Sequence, residues 1–236
     1  MKKIVLLSSD TIHHRYFINK LIHDGIKFNL IIFENTHVEP LFDTGPLYEE
    51  QENSFEETNF FGEIKSDLNN LDIFEIDNVN TLRIEEMIKK IKPDFGIVFG
   101  TRKIKNSILK LFSDGLLNVH RGIAQRYRGL DSDLWAIYHN DYNNIGVTIH
   151  MVESKLDTGN IIYQKKMEIK KNMKTFQIRY FTTLISTDLV FKSIQDYLCG
   201  KLRTYNQKKL GRYYSFMPIE LKKIVNKKFN KHCKLL

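Results

Sequence analysis

The first half of the chain alternates short apolar runs with stretches in which apolar residues recur every three or four positions. Lys3–Ser8 predicts a buried strand, and in His13–His23 the residues Tyr16, Phe17, Leu21 and Ile22 fall on one face of a helix. Gly25 stands where that helix would stop. Phe28–Phe33 predicts a second strand, Leu71–Ile76 a third, and Phe95–Phe99, ending at Gly100, a fourth. Runs this continuous suit strands covered on both faces. Val79–Ile91, entered near Asn80, predicts a helix through Leu82, Ile84, Met87 and Ile88. Strand–helix–strand units of this length predict the α/β class, a Rossmann-like, mostly parallel sheet with helices on both faces. Glu34–Lys65 breaks the rhythm with acidic residues and scattered aromatics in no sustained period. It predicts a partly disordered connection or a short irregular helix.

From Leu116 the pattern changes. Leu116–His120 predicts a short strand, Ser132–Tyr138 a short helix and Ile145–Val152 a strand with Ile145, Val147, Ile149 and Met151 on one side. Gly146, Thr148 and His150 take the other side, and Asn160–Ile169 is expected to pair antiparallel with this strand. Phe176–Tyr197, entered at Thr175, predicts a long helix packed through Phe176, Tyr180, Leu184, Thr187 and Phe191. Its second apolar stripe needs cover from Tyr213, Tyr214 and Phe216 or from another subunit. The expected division is a main domain over 1–200 and a basic, aromatic C-terminal extension over 201–236.

At 236 residues roughly 70% of the extended-chain surface can be buried, and 42% apolar content argues against wholesale disorder. Cys199 and Cys233 stand far from every motif below, which fits reduced thiols in a cytoplasmic protein better than a disulfide or a cysteine-bound metal. The apolar run Ile4–Leu7 is too short for a signal peptide or a membrane span, so no membrane insertion is expected. The net charge of +8 is uneven: beyond Gly200 eleven Lys and Arg face Glu220 alone, giving +10, so the rest carries −2. Such an end attracts polyanions or simply solubilises the chain.

Candidate chemistry gathers where the strand Leu116–His120 ends. Alternation places Asn118 and His120 on one side of the backbone, at the carboxyl end of a strand, where ligands bind in such sheets. Leu156-Asp157-Thr158-Gly159 forms a tight turn that can aim Asp157 into the same cleft. Taken singly, each has a plain alternative as a satisfied strand-end histidine or an ordinary turn aspartate.

In order, Leu117-Asn118-Val119-His120, Tyr127-Arg128-Gly129, Gly146-Val147-Thr148-Ile149-His150 and Leu156-Asp157-Thr158-Gly159-Asn160-Ile161 resemble the folate-dependent formyltransferases over about Met1–Ile169. The resemblance implies a formyltransferase fold, N10-formyltetrahydrofolate as co-substrate, no metal, and Asn118, His120 and Asp157 as the catalytic residues. Gly100-Thr101-Arg102 resembles the segment that helps form the folate pocket, so Phe99, Gly100, Thr101, Arg102, Leu156 and Asp157 are expected to hold the cofactor. Arg121-Gly122-Ile123-Ala124-Gln125 departs from the Pro-Ser-Leu-Leu-Pro of many members. Together with Ser8-Ser9-Asp10 and His13-His14-Arg15-Tyr16-Phe17 it is closer to the branch that formylates nucleotide-linked amino sugars. The purine-synthesis enzyme's glycine-rich turn has no counterpart at Ser9–Ile12, and the tRNA enzyme's additional domain exceeds the residues after Gly200.

The resemblance thus implies transfer of a formyl group to the amine of a nucleotide-linked amino sugar for cell-surface polysaccharide, dTDP-4-amino-4,6-dideoxyglucose being the favoured acceptor. Methionyl-tRNA or glycinamide ribonucleotide formylation and a non-catalytic folate- or nucleotide-binding protein are the alternatives. Asn118 would donate to the formyl oxygen, His120 would move the proton, and Asp157 would either fix the imidazole tautomer or position a water. His14, Arg15, Arg126, Tyr127 and Arg128 are the expected acceptor contacts, with the arginines suited to a diphosphate. Trp135 could stack on a base but is assigned first to the core, and Thr148 and His150 line the same strand face as either site residues or satisfied hydrogen-bonding partners. A homodimer without a stable nucleic-acid partner completes the expectation.

Overall fold

The computed structural model describes residues 2–36, 39–61 and 73–236. The chain runs β1 (Ile4–Ser8), α1 (Ile12–His23), β2 (Leu30–Glu34), α2 (Glu49–Phe61), β3 (Ile73–Ile76), α3 (Leu82–Ile91), β4 (Phe95–Phe99) and α4 (Asn106–Leu109). It continues through β5 (Leu116–His120), β6 (Tyr127–Gly129), α5 (Ser132–Tyr138), β7 (Gly146–Met151), β8 (Ile161–Lys166), α6 (Ile178–Leu198), β9 (Arg212–Tyr214) and α7 (Ile219–Leu235). The main sheet has the order β3-β2-β1-β4-β5-β7-β8. Its first five strands are parallel, while β7 pairs antiparallel with β5 and β8 antiparallel with β7. This is the α/β architecture that the apolar runs predict, with helices on both faces.

β1 and β4 are buried along their whole length, which is why they read as unbroken apolar runs. Phe17, Leu21, Val190 and Ile194 from α1 and α6 cover one face of the sheet, and Ile84, Ile88 and Ile108 from α3 and α4 cover the other. A third apolar cluster joins α5 to α7 through Ile137, Val225, Phe229 and Cys233. The chain order reverses between β1 and β4, and a cleft opens beyond the carboxyl ends of those strands. Among the described residues no helix is long and apolar enough to cross a membrane.

Several local expectations are revised. The third strand is described from Ile73, and Leu71 lies outside the described residues. The helix predicted from Val79 begins at Leu82, capped by Thr81, whose hydroxyl accepts from the Ile84 N–H at 3.4 Å. Asn80 is not the cap because its amide is used elsewhere: its nitrogen donates to the Lys103 carbonyl and its oxygen accepts from the Lys105 N–H. Where a partly disordered connection or a short irregular helix was expected, Glu49–Phe61 forms a regular helix, α2, of 13 residues; positions 37–38 and 62–65 of that connection lie outside the described residues. Its period is hidden because the inward positions include carboxylates, Glu52 and Glu56, instead of apolar side chains. Arg179 neutralises both, with Nη1 2.8 Å from Glu52 and Nε 2.6 Å from Glu56.

The helix α6 also packs differently. Its buried face is Thr182, Thr183, Ser186, Thr187, Val190, Ser193 and Ile194. Of the residues expected there only Thr187 is buried; Phe176, Tyr180, Leu184 and Phe191 sit half-buried on the flanks. Hydroxyls that donate to their own helix, such as Thr183 to the Arg179 carbonyl at 2.7 Å, let a small-residue face lie close to the sheet without orphaned polar groups. The second stripe is covered by α2, with Phe55 and Phe60 against Tyr180. The aromatic segment 213–216 packs elsewhere: Tyr214 stacks on Trp135 at 4.9 Å.

Removing the Arg179 fork strands Glu56, which has no exposed surface, without its cation. Arg179→Ala is expected to cost about 3–5 kcal/mol in urea unfolding, and Arg179→Lys distinctly less. A loss under about 1 kcal/mol for the alanine variant would show that the ion-paired layer is not structural.

Candidate active site

The register of β5 against β7 sets the floor of the cleft. Asn118 stands opposite His150 and His120 opposite Thr148, so all four side chains share one face of the sheet. The loop between β7 and β8 then returns Asp157, in a left-handed backbone conformation (φ 54°), to the same place. The Asp157 carboxylate lies between two imidazoles: Oδ2 is 3.6 Å from His120 Nδ1, and Oδ1 is 3.3 Å from His150 Nε2. The Gly129 N–H donates to Oδ2 at 2.7 Å, while Asn118 Nδ2 is 3.5 Å from Oδ1 and 3.2 Å from His150 Nε2.

Hydrogen bonding assigns the tautomers. His120 Nε2 lies 2.8 Å from the Tyr127 carbonyl, an acceptor only, so that nitrogen carries the proton and Nδ1 keeps its lone pair beside Asp157. The sequence expects Asp157 to fix the tautomer or to position a water; the tautomer is fixed by the Tyr127 carbonyl instead. His150 Nδ1 likewise donates to the Met151 carbonyl at 2.8 Å and turns Nε2 toward Asn118 and Asp157. Burial lowers the His120 pKa; the Asp157 charge opposes that shift without overcoming it, and His150 adds to it. Burial alone would raise the Asp157 pKa, but His120, His150 and the Gly129 N–H outweigh it and hold the carboxyl well below the usual range. The cluster therefore presents, near neutral pH, an ionised carboxylate beside an imidazole with a free lone pair, an arrangement able to accept and return a proton.

The cleft, about 580 Å³, runs past this floor in two directions. One end is walled by Phe99, Gly100, Thr101, Arg102, Ile104 and Val152. Gly100 has φ +85°, and a Cβ there would collide with the His14 ring. Arg102 is tied to buried Glu34, which accepts from the Arg102 N–H at 2.7 Å and lies 2.6 Å from its Nε. Leu130, Ser132, Asp133, Tyr213 and Phe216, with Arg121, line the cleft beside β6 and α5, while His13 and His14 lie against Phe99. Arg121 donates to Asp133 at 2.7 Å. Among the described residues no group of three or more His, Cys, Asp or Glu is placed to hold a metal.

Of the expected acceptor contacts, His14 lines the cleft, whereas Arg15 forks onto Asp10 with bonds of 2.5 and 2.7 Å. Arg126 is exposed and not part of the cleft wall. Tyr127 is buried, with its hydroxyl on Asp141. Arg128 holds the Gly211 and Leu156 carbonyls, at 2.6 and 3.3 Å, and so braces the wall from behind. Leu156 does line the cleft. Thr148 takes the hydrogen-bonding role expected of it, donating to the Gly122 carbonyl and accepting from the Ala124 N–H. His150 takes the site role instead by joining the cluster; the strand alternation carried that signal, but only the register against Asn118 shows it. Tyr213 and Phe216 were signalled by the aromatic density of 211–216 and read instead as cover for the long helix.

A doubly wound sheet with an Asn-x-His strand end and an aspartate delivered by the next hairpin is the architecture that formyl-transfer enzymes share with this chain. A match to the formyl transferase family spans residues 42–180, more than half of the chain, and the chain belongs to that family. It is 30% identical to a methionyl-tRNA formyltransferase of Borrelia duttonii over 132 residues, 56% of this chain and 42% of the relative. With the methionyl-tRNA formyltransferase of Borrelia garinii subsp. bavariensis it shares 31% identity over 159 residues, 67% and 49% of the two chains. The chain thus spans under half the length of these curated relatives. Among solved structures it is similar to a sugar N-formyltransferase from Shewanella sp FDAARGOS_354, with TM-score 0.64, 16% identity, and 90% and 76% of the two chains covered. A 4-N formyltransferase from Francisella tularensis gives TM-score 0.64 at 18% identity with the same coverage. At such identities these structures establish the shared fold.

The His120 shift is measurable directly. Its imidazole should titrate below 6.5 by NMR, and Asp157→Asn should lower it further, since the nearby anion is the main influence raising it. A His120 pKa above 6.5, or one rising in the variant, would contradict the arrangement.

Proposed function

We propose that the chain transfers a formyl group from N10-formyltetrahydrofolate to the amine of a nucleotide-linked amino sugar, with dTDP-4-amino-4,6-dideoxyglucose as the first acceptor to try. The observation that carries the transferase reading is the Asn118, His120, His150 and Asp157 cluster on the floor of a two-ended cleft. The donor fits the end beside β4, where apolar Phe99, Ile104 and Val152 suit a flat heterocycle. When bound there it supplies an activated formyl carbon on a nitrogen that can leave.

Asn118 has one N–H directed at His150 and a second with only the long 3.5 Å contact to Asp157, and that second hydrogen is the one available to a developing oxyanion. His120 Nδ1 takes the proton of the attacking amine and returns it to the leaving nitrogen. Asp157, already ionised, stabilises the imidazolium in between. His150 Nε2 accepts from Asn118 and holds its amide in place beside Asp157. A nucleotide sugar is favoured by the loop Arg121–Gln125 and by a structural relative whose own name gives a sugar acceptor. A sugar 3N-formyl transferase crystallised in the presence of dTDP and 5-N-Formyl-THF is a further fold relative, with TM-score 0.57 at 21% identity over 91% and 70% of the two chains. The methionyl-tRNA formyltransferases among the sequence relatives make aminoacylated initiator tRNA the second reading.

Given nucleotide-linked 3-amino and 4-amino sugars, glycinamide ribonucleotide and aminoacylated initiator tRNA, the protein should add the mass of one formyl group to an amino sugar. Formylation of the tRNA alone, read by mass spectrometry, would decide for the second reading. With the accepted substrate, Asn118→Ala, His120→Asn and Asp157→Ala should each lower kcat by about a hundredfold or more, on the scale of losing one oxyanion donor or a positioned base. The wild-type rate should fall as pH drops and His120 becomes protonated, and hold steady above that range. Near-normal turnover in the His120 or Asp157 variant, with an unchanged melting temperature, would remove the cluster from the chemistry.

A further inference from the structure

We propose that Leu130, Tyr213 and Phe216 form the acceptor's docking wall, an apolar lip that takes the flat ring of a nucleobase; this deepens the nucleotide-sugar reading above and rests on it. Tyr213 and Phe216 belong to a segment outside the stretch matched to the family, residues 42–180, yet both line the cleft. The observation that singles them out is a mismatch between backbone and side chain.

The backbone there is fixed at nearly every residue. β9 pairs with β6, setting Arg128 beside Tyr213 and Gly129 beside Tyr214. The Gly211 carbonyl accepts from Arg128 at 2.6 Å, the Tyr214 carbonyl from the Leu130 N–H at 3.0 Å, and the Ser215 carbonyl from Trp135 Nε1 at 2.9 Å. The Met217 N–H donates to Asp131 at 2.8 Å. A segment held this firmly does not leave large apolar groups in water by looseness. Strand alternation turns Tyr214 inward onto Trp135 and leaves Tyr213 on the cleft side, 49% exposed, beside Leu130 at 40%. Grouped apolar exposure at the edge of a cleft marks a binding surface.

Position assigns the occupant. Tyr213 lies against Gly129, where an added Cβ would come within 2.9 Å of its ring, and the Gly129 N–H is the donor that holds Asp157. The lip therefore begins one residue from the anchor of the catalytic cluster. If the donor occupies the β4 end, the two substrates meet over Asn118 and the lip is left to the acceptor. It carries no charge, so what it can recognise is an apolar face, and of a nucleotide-linked sugar the base has the largest flat one. Stacking on an aromatic side chain gives about ten- to hundredfold in affinity per base.

The test is calorimetric titration of the full chain with dTDP and with UDP, for the wild type, Tyr213→Ala, Phe216→Ala and Tyr213→Phe. Each alanine variant should weaken binding at least tenfold, while Tyr213→Phe, which keeps the ring, should stay within about threefold of wild type. Titration with 5-formyltetrahydrofolate should be unchanged in all of them, and in turnover the loss should sit in the acceptor KM and not in kcat. Because Tyr213 is half exposed, melting temperatures should match; Tyr213→Leu serves if the alanine variant does not fold. Nucleotide affinity unaffected by every variant, loss of folate binding instead, or failure of both nucleotides to bind wild type would each overturn the lip. The two readings fail separately. Loss of nucleotide binding in Tyr213→Ala, in a protein that formylates none of the amino sugars, keeps the lip and removes the sugar. Equal acceptor KM in all variants of an enzyme that does formylate a sugar keeps the function and removes the lip.

Discussion

A carboxylate that is only 7% exposed is the constraint on which the cleft depends. Burying an ion is costly unless charge and hydrogen bonds replace its water. Asp157 draws its partners from three separate pieces of chain: the Gly129 N–H closing β6 donates to it, while His120 at the end of β5 and His150 on β7 flank it and become its countercharge once protonated. None of these partners is close to Asp157 in sequence except His150, seven positions away, so the charge can be accommodated only when the sheet, the hairpin and the loop are all in place. The same interactions that make it tolerable hold it ionised, which is the state in which it can stabilise a neighbouring imidazolium.

The antiparallel β7 is what delivers this geometry. After the excursion through β6 and α5, β7 returns antiparallel along the edge of β5, and a hairpin then joins it to β8. Cross-strand pairing sets His150 against Asn118, and the return toward β8 drops Asp157 above both. Gly159 belongs to this return, since a side chain there would collide with the Met151 backbone. The parallel part of the sheet supplies the cleft at its switch point, and the antiparallel part supplies the groups within it.

Much of this was legible in the sequence, for identifiable reasons. The strands β1, β4 and β5 are apolar because they are buried, and Asn118 and His120 share a side because strand residues alternate. Where the reading failed, polar residues occupied positions that a hydrophobic period would mark as exposed. Glu52 and Glu56 face inward on α2 because Arg179, some 120 residues later, neutralises them, and no local pattern carries that information. The buried face of α6 is hydroxylic for the same kind of reason, each side chain being satisfied within its own helix. Arg15 and Arg128 looked like ligand contacts by residue type, but an intramolecular partner claims each of them. Tyr213 and Tyr214 are adjacent and chemically alike; only the pairing of β9 with β6 sends one to the core and the other to the cleft.

The buried charges of α2, α5 and α6 are then best understood as the rigid backing of the site. Arg121 follows His120 directly and is clamped to Asp133, 4% exposed, at the start of α5. Glu52 of α2 borders the same small polar cavity, and burial pushes its pKa up to about 7 even with Arg179 at 2.8 Å. An apolar layer could fill that volume with equal or greater stability. It would not fix direction, however, because apolar contacts tolerate sliding by fractions of an ångström, whereas forked ion pairs in a low-dielectric setting do not. The distances that matter on the other side of this layer, 3.3 to 3.6 Å around Asp157, are within that same tolerance. A proton acceptor placed on a strand end gains from a backing that resists small shifts, and the sequence supplies it where Arg121 succeeds His120 without an intervening residue.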